Sequence, residues 1–265
     1  MRGKSRLLVL NLSLVLCVAC SASAPSADVD LARASLKKAV DAGAGSLAVE
    51  SLQAAERAQA LLDAEMTAQQ GKWFKSYDKA RDLAIAAQAA GDKAAADAAA
   101  AKGATMAEAT AATGDAQRGP NLFRNGDFTD GLQGWTGSPD SDATVSVDVS
   151  GPNERTWHAQ YRKGNWSVIY QQLNLRPDTV YVYEAMLKST APIVALYWQA
   201  EIGRFLEIDK AYPEWTHLRY VFLTPHWTGQ PYLTSFDPVL MKGPGDVWIK
   251  DLRLSQFQAR GSKAP

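Results

Sequence analysis

The distribution of alanine and tryptophan divides this chain into two parts, and this division constrains the fold more than any other feature. Seven of the eight tryptophans follow residue 119, and only Trp73 precedes it. The earlier part is rich in alanine, which favours helices but adds little apolar surface to a core. Residues 103–119 are small and polar, and either fray from the last helix or form a flexible linker. We predict a helical domain at 28–102, a linker at 103–119 and a β-rich domain at 120–258.

The amino-terminal part has the periodicity of amphipathic helices. Apolar residues recur at three- and four-residue spacing, with charged residues between them. They are Leu52, Ala55, Ala58, Leu62 and Met66 in one segment, and Phe74, Tyr77, Ala80, Ala84 and Ala87 in the next. Gly71 is expected to separate these two helices, and Gly91 with Asp92 to end the second before another alanine-rich helix at 93–102. The pattern predicts three or four short antiparallel helices.

The second part has the two-residue alternation of β-strands, which assigns successive side chains to opposite faces. Tyr181, Tyr183, Ala185 and Leu187 are predicted to face a core. Outward positions in four such segments are Trp166, Val168, Tyr170 and Gln172; Glu184, Met186 and Lys188; Tyr197, Gln199 and Glu201; and His217, Arg219 and Val221. The fold class predicted for the whole chain is α plus all-β, with the helices first.

Motifs at both ends of the second part resemble a known family. The sequence Asn-Leu-Phe-Arg-Asn-Gly-Asp-Phe at 121–128 opens it, and Val-Trp-Ile-Lys-Asp-Leu-Arg-Leu at 247–254 closes it. Between them come a strand with Gln171 and Leu173, a turn at 176–178, and strands at 181–188 and 215–224. This order resembles carbohydrate-binding modules of families four, nine and twenty-two. The resemblance implies a galactose-binding-like jelly-roll β-sandwich that binds polysaccharide without catalysis.

A sugar-binding surface needs flat apolar rings against the pyranose faces and planar polar groups for the hydroxyls. The outward positions offer both. The predicted ligand-binding residues are Trp166, Tyr170, Glu184, Lys188, Tyr197, Gln199, Glu201 and Arg219, with Trp227 as an alternative platform on a rim loop. The charged residues are equally well interpreted as cross-strand partners on a solvated sheet, such as Glu184 with Lys188 or Glu201 with Arg219.

The remaining tryptophans divide between core and surface. Those at landmark positions are predicted to be buried in the core, as large aromatic side chains usually are. They are Trp135, Trp198, Trp215 and Trp248. Trp157, Trp166 and Trp227 are less constrained by the pattern.

The resemblance also implies a structural calcium between the opening motif and the closing strand, where oxygen ligands suit a hard cation. Asp127, Asp130 and Asp251 are the available ligands. Thr129 and Lys250 stand where acidic residues are common in the family, and the ammonium of Lys250 is an alternative to the cation. No other cofactor is expected.

The first residues resemble a bacterial lipoprotein signal peptide at 1–19. Basic residues precede a short apolar run at 7–16, which is too short to span a membrane, and Ala19-Cys20 follows. Cys20 resembles the lipobox cysteine, which becomes the lipidated, palmitate-bearing first residue. Ser21 in place of Asp favours the outer membrane, facing the periplasm or the cell surface. An ordinary signal peptide, cut near Ala24, is the alternative.

The helical part resembles small alanine-rich domains of bacterial envelope lipoproteins. The segments that carry the likeness are 47–52, 58–62 and 77–84. The resemblance implies a spacer or a docking site for a protein partner. Both cysteines, Cys17 and Cys20, lie in the leader, so no disulfide is expected in the mature chain.

Charge and motifs exclude several functions. The chain has 28 basic and 28 acidic residues, so it lacks the basic field on which nucleic-acid affinity depends. The histidines lack metal-ligand spacing, and no nucleophile motif is present. Glu184 and Glu201 are the one carboxylate pair considered for glycoside hydrolysis. Two functions remain: a polysaccharide-binding envelope lipoprotein, or a structural or protein-interaction lipoprotein whose sandwich does not bind sugar.

Overall fold

A helical bundle precedes a two-sheet β-sandwich in the computed structural model of this protein, so the predicted fold class is confirmed. The helices are α1 (Ser26–Asp41), α2 (Ala44–Leu47), α3 (Val49–Gln70) and α4 (Asp78–Ala111). The structure describes residues 23–112, 117–137, 142–152, 154–163, 169–199, 204–227, 232–241 and 243–259; for 194–199, 204–209 and 232–240 it describes the backbone alone.

The bundle packs mainly through alanine, which lets helix backbones approach closely. Val29, Leu62 and Tyr77 lie together where α1 begins, α3 ends and α4 begins. At the other end of α1, the buried residues are Ala39, Ala44, Leu52, Ala55, Ala94, Ala95 and Ala98. The long helices α1, α3 and α4 therefore run up, down and up.

The predicted helix break at Gly91 is wrong, because α4 continues through it to Ala111. A Cβ at Gly91 would lie 2.7 Å from the carbonyl carbon of Ser35 in α1. Glycine at this position therefore permits the close crossing of two backbones instead of ending a helix. The helix also includes residues 103–111, the first half of the predicted linker.

Phe74 is also wrongly assigned to the apolar face of a helix. It lies before α4 begins and is 85% exposed. Its three-residue spacing from Tyr77 fits the helical pattern, although only Tyr77 contributes to the core.

The sandwich consists, in the described part of the chain, of ten strands in two antiparallel sheets. We call β1-β4-β9-β6-β7 the first sheet and β2-β3-β10-β5-β8 the second sheet. The strands are β1 (Thr136–Gly137), β2 (Ala143–Gly151), β3 (Glu154–Tyr161), β4 (Ile169–Leu175), β5 (Val180–Ser189), β6 (Ile193–Gln199), β7 (Arg204–Lys210), β8 (Thr216–Leu223), β9 (Tyr232–Met241) and β10 (Gly245–Gln256).

The sandwich core confirms the predicted inward positions. Tyr181, Tyr183, Ala185 and Leu187 are buried between the sheets, as are Ile169, Leu173 and Leu175 of β4. Trp135 is buried as predicted, and Trp157 is fully buried. Burial raises the pKa of the Tyr183 hydroxyl well above its ordinary value.

The opening motif at 121–128 contacts the closing strand as a series of turns and not as a strand. The Leu122 N–H donates to the Leu254 carbonyl at 2.7 Å, and the Leu252 N–H donates to the Gly126 carbonyl at 3.0 Å. A Cβ at Gly126 would overlap the carbonyl oxygen of Leu252. The opening motif therefore requires glycine at position 126, where it crosses the shift in strand register of β10 between Lys250 and Arg253.

The end of α4 packs on the outer face of the second sheet. Ala109 is buried with Val180, Val182 and Phe257. The Arg219 guanidinium donates to the Ala109 carbonyl at 2.7 Å. This bond satisfies one of the carbonyls that a helix end leaves without a backbone partner. The helical domain and the sandwich are thus in direct contact.

Asp178 forms a second junction between the helices and the sandwich. Its carboxylate lies 2.6 Å from Lys102 Nζ in α4 and 2.6 Å from His226 Nδ1 in the sandwich. The Asp178 side chain is only 4% exposed. A Cβ at Gly43, in the turn after α1, would lie 2.6 Å from Asp178 Cγ. One buried carboxylate therefore contacts three separate parts of the chain.

Candidate carbohydrate-binding site

The outer face of the first sheet begins with β4, whose burial alternates strictly. Ile169, Gln171, Leu173 and Leu175 are buried, whereas Tyr170 is half-buried and Gln172 and Asn174 are exposed. Gln171 is held inside because its amide exchanges hydrogen bonds with the backbone of Arg124, at 2.6 and 3.0 Å. An aromatic ring and two amides consequently share the outer face.

The strand register extends this face across the sheet. Phe236 of β9 pairs with Gln171 on one side and with Trp198 on the other. Since paired positions share a face, position 198 belongs to the inner face, and positions 197 and 199 belong to the outer one. Ser235 pairs with both Gln172 and Gln199, and Asp237 pairs with Tyr197. Tyr170, Gln172 and positions 197 and 199 are therefore brought together.

Three further predicted site residues are not assigned to this face. Trp166 and Glu201 lie outside the described residues. Trp227 is half-buried against the sandwich core, so its ring is partly engaged in packing.

Glu184, Lys188 and Arg219 belong to the second sheet, so the prediction that they share a face with Tyr197 is wrong. Glu184 pairs across strands with Arg219, and its carboxylate lies 2.8 Å from the Arg118 guanidinium. The Glu184 side chain is 4% exposed. Glu184 is therefore in a cross-strand ion pair, but with Arg219 and not with Lys188 as the alternative interpretation has it, and on a buried face instead of a solvated one. This cluster supports the contact with α4.

The second sheet carries two outward tryptophans, so the prediction that Trp215 and Trp248 are core residues is wrong. Trp248 is half-buried and stacks on His158 with ring centres 4.8 Å apart; Trp215 is 37% exposed. Lys188 Nζ lies 5.4 Å from the centre of the Trp248 ring, and Lys250 Nζ lies 4.7 Å from that of Trp215. These cations cover part of each ring face.

A cavity of about 450 Å³ lies beside these tryptophans. It is lined by Asp148, Ser150, Glu154, Thr156, Lys188, Trp215 and Trp248. A hydrogen bond from Lys250 holds the pKa of Glu154 below its ordinary value. The two-residue alternation of the sequence indicates that Trp248 faces outward, because it lies between the inward positions Val247 and Ile249.

The predicted calcium ligands are only partly brought together. Asp127 and Asp251 line one cavity of about 550 Å³, but Asp130 is not part of its lining. The described residues contain no group of three or more His, Cys, Asp or Glu side chains placed to hold a metal ion. Lys250 bonds to Glu154, so it does not take the place of a cation between these aspartates. Calcium at Asp127, Asp130 and Asp251 stays a prediction.

No helix in the part of the chain that the structure describes is long and apolar enough to cross a membrane.

The fold and the face of the first sheet define a jelly-roll β-sandwich with an aromatic and polar outer surface. The solved structures to which the chain is similar include carbohydrate-binding modules. A family 16 carbohydrate-binding module is 23% identical, with a TM-score of 0.34 over 51% of this chain and 99% of that one. The CBM22-1 xylan-binding domain of Paenibacillus barcinonensis Xyn10C is 12% identical, with a TM-score of 0.39 over 52% of this chain and 93% of that one.

A third structure, TmCBM61 in complex with beta-1,4-galactotriose, is 17% identical, with a TM-score of 0.39 over 52% of this chain and 99% of that one. No protein-family model and no curated protein matches the chain.

Proposed function

We propose that this protein is an envelope-anchored, non-catalytic polysaccharide-binding lipoprotein. The observation that carries the proposal is the alignment of Tyr170 and Gln172 with positions 197 and 199 on the outer face of the first sheet. Aromatic rings and amides in a row suit an extended sugar chain, because each ring stacks on a pyranose while the amides bond its hydroxyls.

The proposal places the polysaccharide on the first sheet because the second sheet has another structural role. Its outer face holds the end of α4 through Val180, Val182 and Arg219. Glu184, one of the two carboxylates considered for hydrolysis, is buried there between Arg118 and Arg219. A carboxylate paired with two guanidinium groups has a structural role, and this supports a binding role for the protein over a catalytic one.

Tyr170→Ala is expected to weaken polysaccharide binding about five- to a hundredfold, because an aromatic ring stacked on a base contributes roughly 1–3 kcal/mol and we expect a similar contribution on a pyranose. The measurement is calorimetry against a ligand first identified on a glycan array. Trp215→Ala is the matched control, since it removes an exposed ring from the second sheet and is expected to leave binding unchanged. Tyr197→Ala tests the same face as Tyr170→Ala.

Two results would contradict this placement. If Trp215→Ala loses affinity while Tyr170→Ala retains it, the sugar lies on the second sheet. If the parent protein binds no glycan on the array, the structural or protein-interaction lipoprotein becomes the better description.

The anchor is proposed to be Cys20, and its location the outer membrane. Cells that express the parent protein are expected to incorporate labelled palmitate into it, and Cys20→Ala is expected to abolish the labelling. Cys17→Ala is the matched control, because it removes the other leader cysteine and is expected to retain the label. Labelling of Cys20→Ala at the parent level would show that this cysteine is not the lipid attachment site.

A further inference from the structure

The loop between α3 and α4 exposes two adjacent aromatic side chains. Trp73 is 92% exposed and Phe74 is 85% exposed, and Lys72 and Lys75 beside them are exposed too. Removing a side chain such as Phe from water stabilises a protein, and this loop gains no such stabilisation from either ring. Two neighbouring residues with large rings exposed to solvent therefore suggest that this loop binds an apolar surface that does not belong to this chain.

This loop lies at the same end of the bundle as Ser23, the first residue that the structure describes. Val29 at the start of α1 packs with Leu62 and Tyr77, which flank the loop on either side. Arg81, in the first turn of α4, donates a hydrogen bond to the Ser23 carbonyl at 3.4 Å. Even fully extended, the chain from Cys20 to Ser23 spans at most roughly 11 Å. A lipid on Cys20 would therefore bring the bilayer surface close to Trp73 and Phe74.

The sandwich lies at the opposite end of α4. The helix has 34 residues. A helix of that size is roughly 50 Å long. Its last turn contacts Val180 and Phe257 of the sandwich. The exposed rings are therefore far from the proposed polysaccharide face and take no part in it.

We propose that Trp73 and Phe74 insert into the interfacial layer of a bilayer, with Lys72 and Lys75 beside anionic headgroups. Tryptophan is enriched at that depth, and lysine reaches the headgroups while its stem stays in the apolar layer. Each lysine near an anionic surface strengthens binding about fivefold. The inference rests on the proposed envelope location, but not on lipidation itself.

The test uses a chain that begins at Ser21, which keeps every residue that the structure describes and has neither leader nor lipid. It is expected to sediment with vesicles of phosphatidylethanolamine and phosphatidylglycerol. The partition coefficient of the double variant Trp73→Ala/Phe74→Ala between vesicles and water is expected to be at least about tenfold lower than that of the parent chain, because the apolar area of both rings no longer inserts. Because both rings are exposed, its circular dichroism spectrum and melting temperature are expected to match those of the parent chain.

Trp215→Ala is the matched control, since it removes an exposed tryptophan from the sandwich and is expected to sediment as the parent chain does. Equal sedimentation of the double variant and the parent chain, or no sedimentation of either, would overturn the proposal. Self-association that the double variant abolishes, without vesicle binding, would overturn it in favour of a second copy as the occupant. Glycan binding by the double variant is expected to be unchanged, so a failure here is distinct from a failure of the proposed function.

Discussion

Gly91→Ala is expected to lower the free energy of unfolding by about 1–3 kcal/mol, the usual penalty for overpacking. The added methyl group would lie 2.7 Å from the Ser35 carbonyl carbon and 2.8 Å from the Leu36 nitrogen. Both are backbone atoms of α1, so no side chain can rotate away, and α1 and α4 must separate. The alanine contacts that fill this crossing would loosen with them.

Gly103→Ala provides the matched control for this effect. It is the same substitution in the same helix, but nothing lies within 4 Å of the new methyl group. It is expected to stabilise the helix by up to about 1 kcal/mol, since alanine is the better helix former. Urea unfolding followed by far-ultraviolet circular dichroism measures both. If the two variants shift the transition in the same direction, the close crossing does not limit the packing of the bundle.

Asp178→Asn is expected to destabilise the protein by about 3 kcal/mol, the lower end of the range for a broken buried ion pair. The substitution removes the charge that Lys102 and His226 face at 2.6 Å. We take the lower end because Lys102 is 19% exposed and keeps part of its hydration. Asparagine suits the backbone, because Asp178 has a φ of 50°. Asparagine tolerates this left-handed conformation better than most residues do.

Asp41→Asn is the matched control for Asp178→Asn. Asp41 pairs with Lys37 one helical turn away, and their side chains are 57% and 74% exposed. An exposed pair of this kind contributes about 0.5 kcal/mol or less. Urea unfolding followed by tryptophan fluorescence reports on the sandwich, which holds most of the tryptophans. An Asp178→Asn midpoint equal to that of the parent would mean that the junction does not depend on this carboxylate.

The inward faces of the strands could be predicted because a sandwich buries one side of each strand. In β4 the alternation of residue types follows the alternation of burial, and the prediction holds even for the polar Gln171. In β5 both faces are buried from Val180 to Ala185, because α4 covers the outer one. Alternation gives the face of a strand, but it does not say which of two sheets the strand joins. That is why alternation alone groups Glu184 and Arg219 with Tyr197, although they belong to different sheets.

Helix periodicity has a similar limit. A glycine in an alanine-rich segment has the same local signature whether it ends a helix or lets a neighbouring helix approach. Gly91 does the latter, and only the position of Ser35, in a helix much earlier in the sequence, reveals it. Phe74 shows the converse, because spacing from Tyr77 fits a helix that begins only at Asp78. The sequence of one helix alone therefore does not reveal the role of such a glycine or the residue at which the helix begins.

The unbroken α4 and its fixed contact with the sandwich have a consequence for how this protein would meet a polymer. A domain on a flexible tether samples a hemisphere, and its effective concentration falls as the tether lengthens. A domain on a stiff rod is instead confined to a thin layer at a set height. Many copies anchored in one membrane would then bind the same polysaccharide molecule side by side. Adding one residue to the helix would raise that layer by about 1.5 Å and rotate the outer face of the first sheet by about 100°, so the length of the rod and the direction of this face change together.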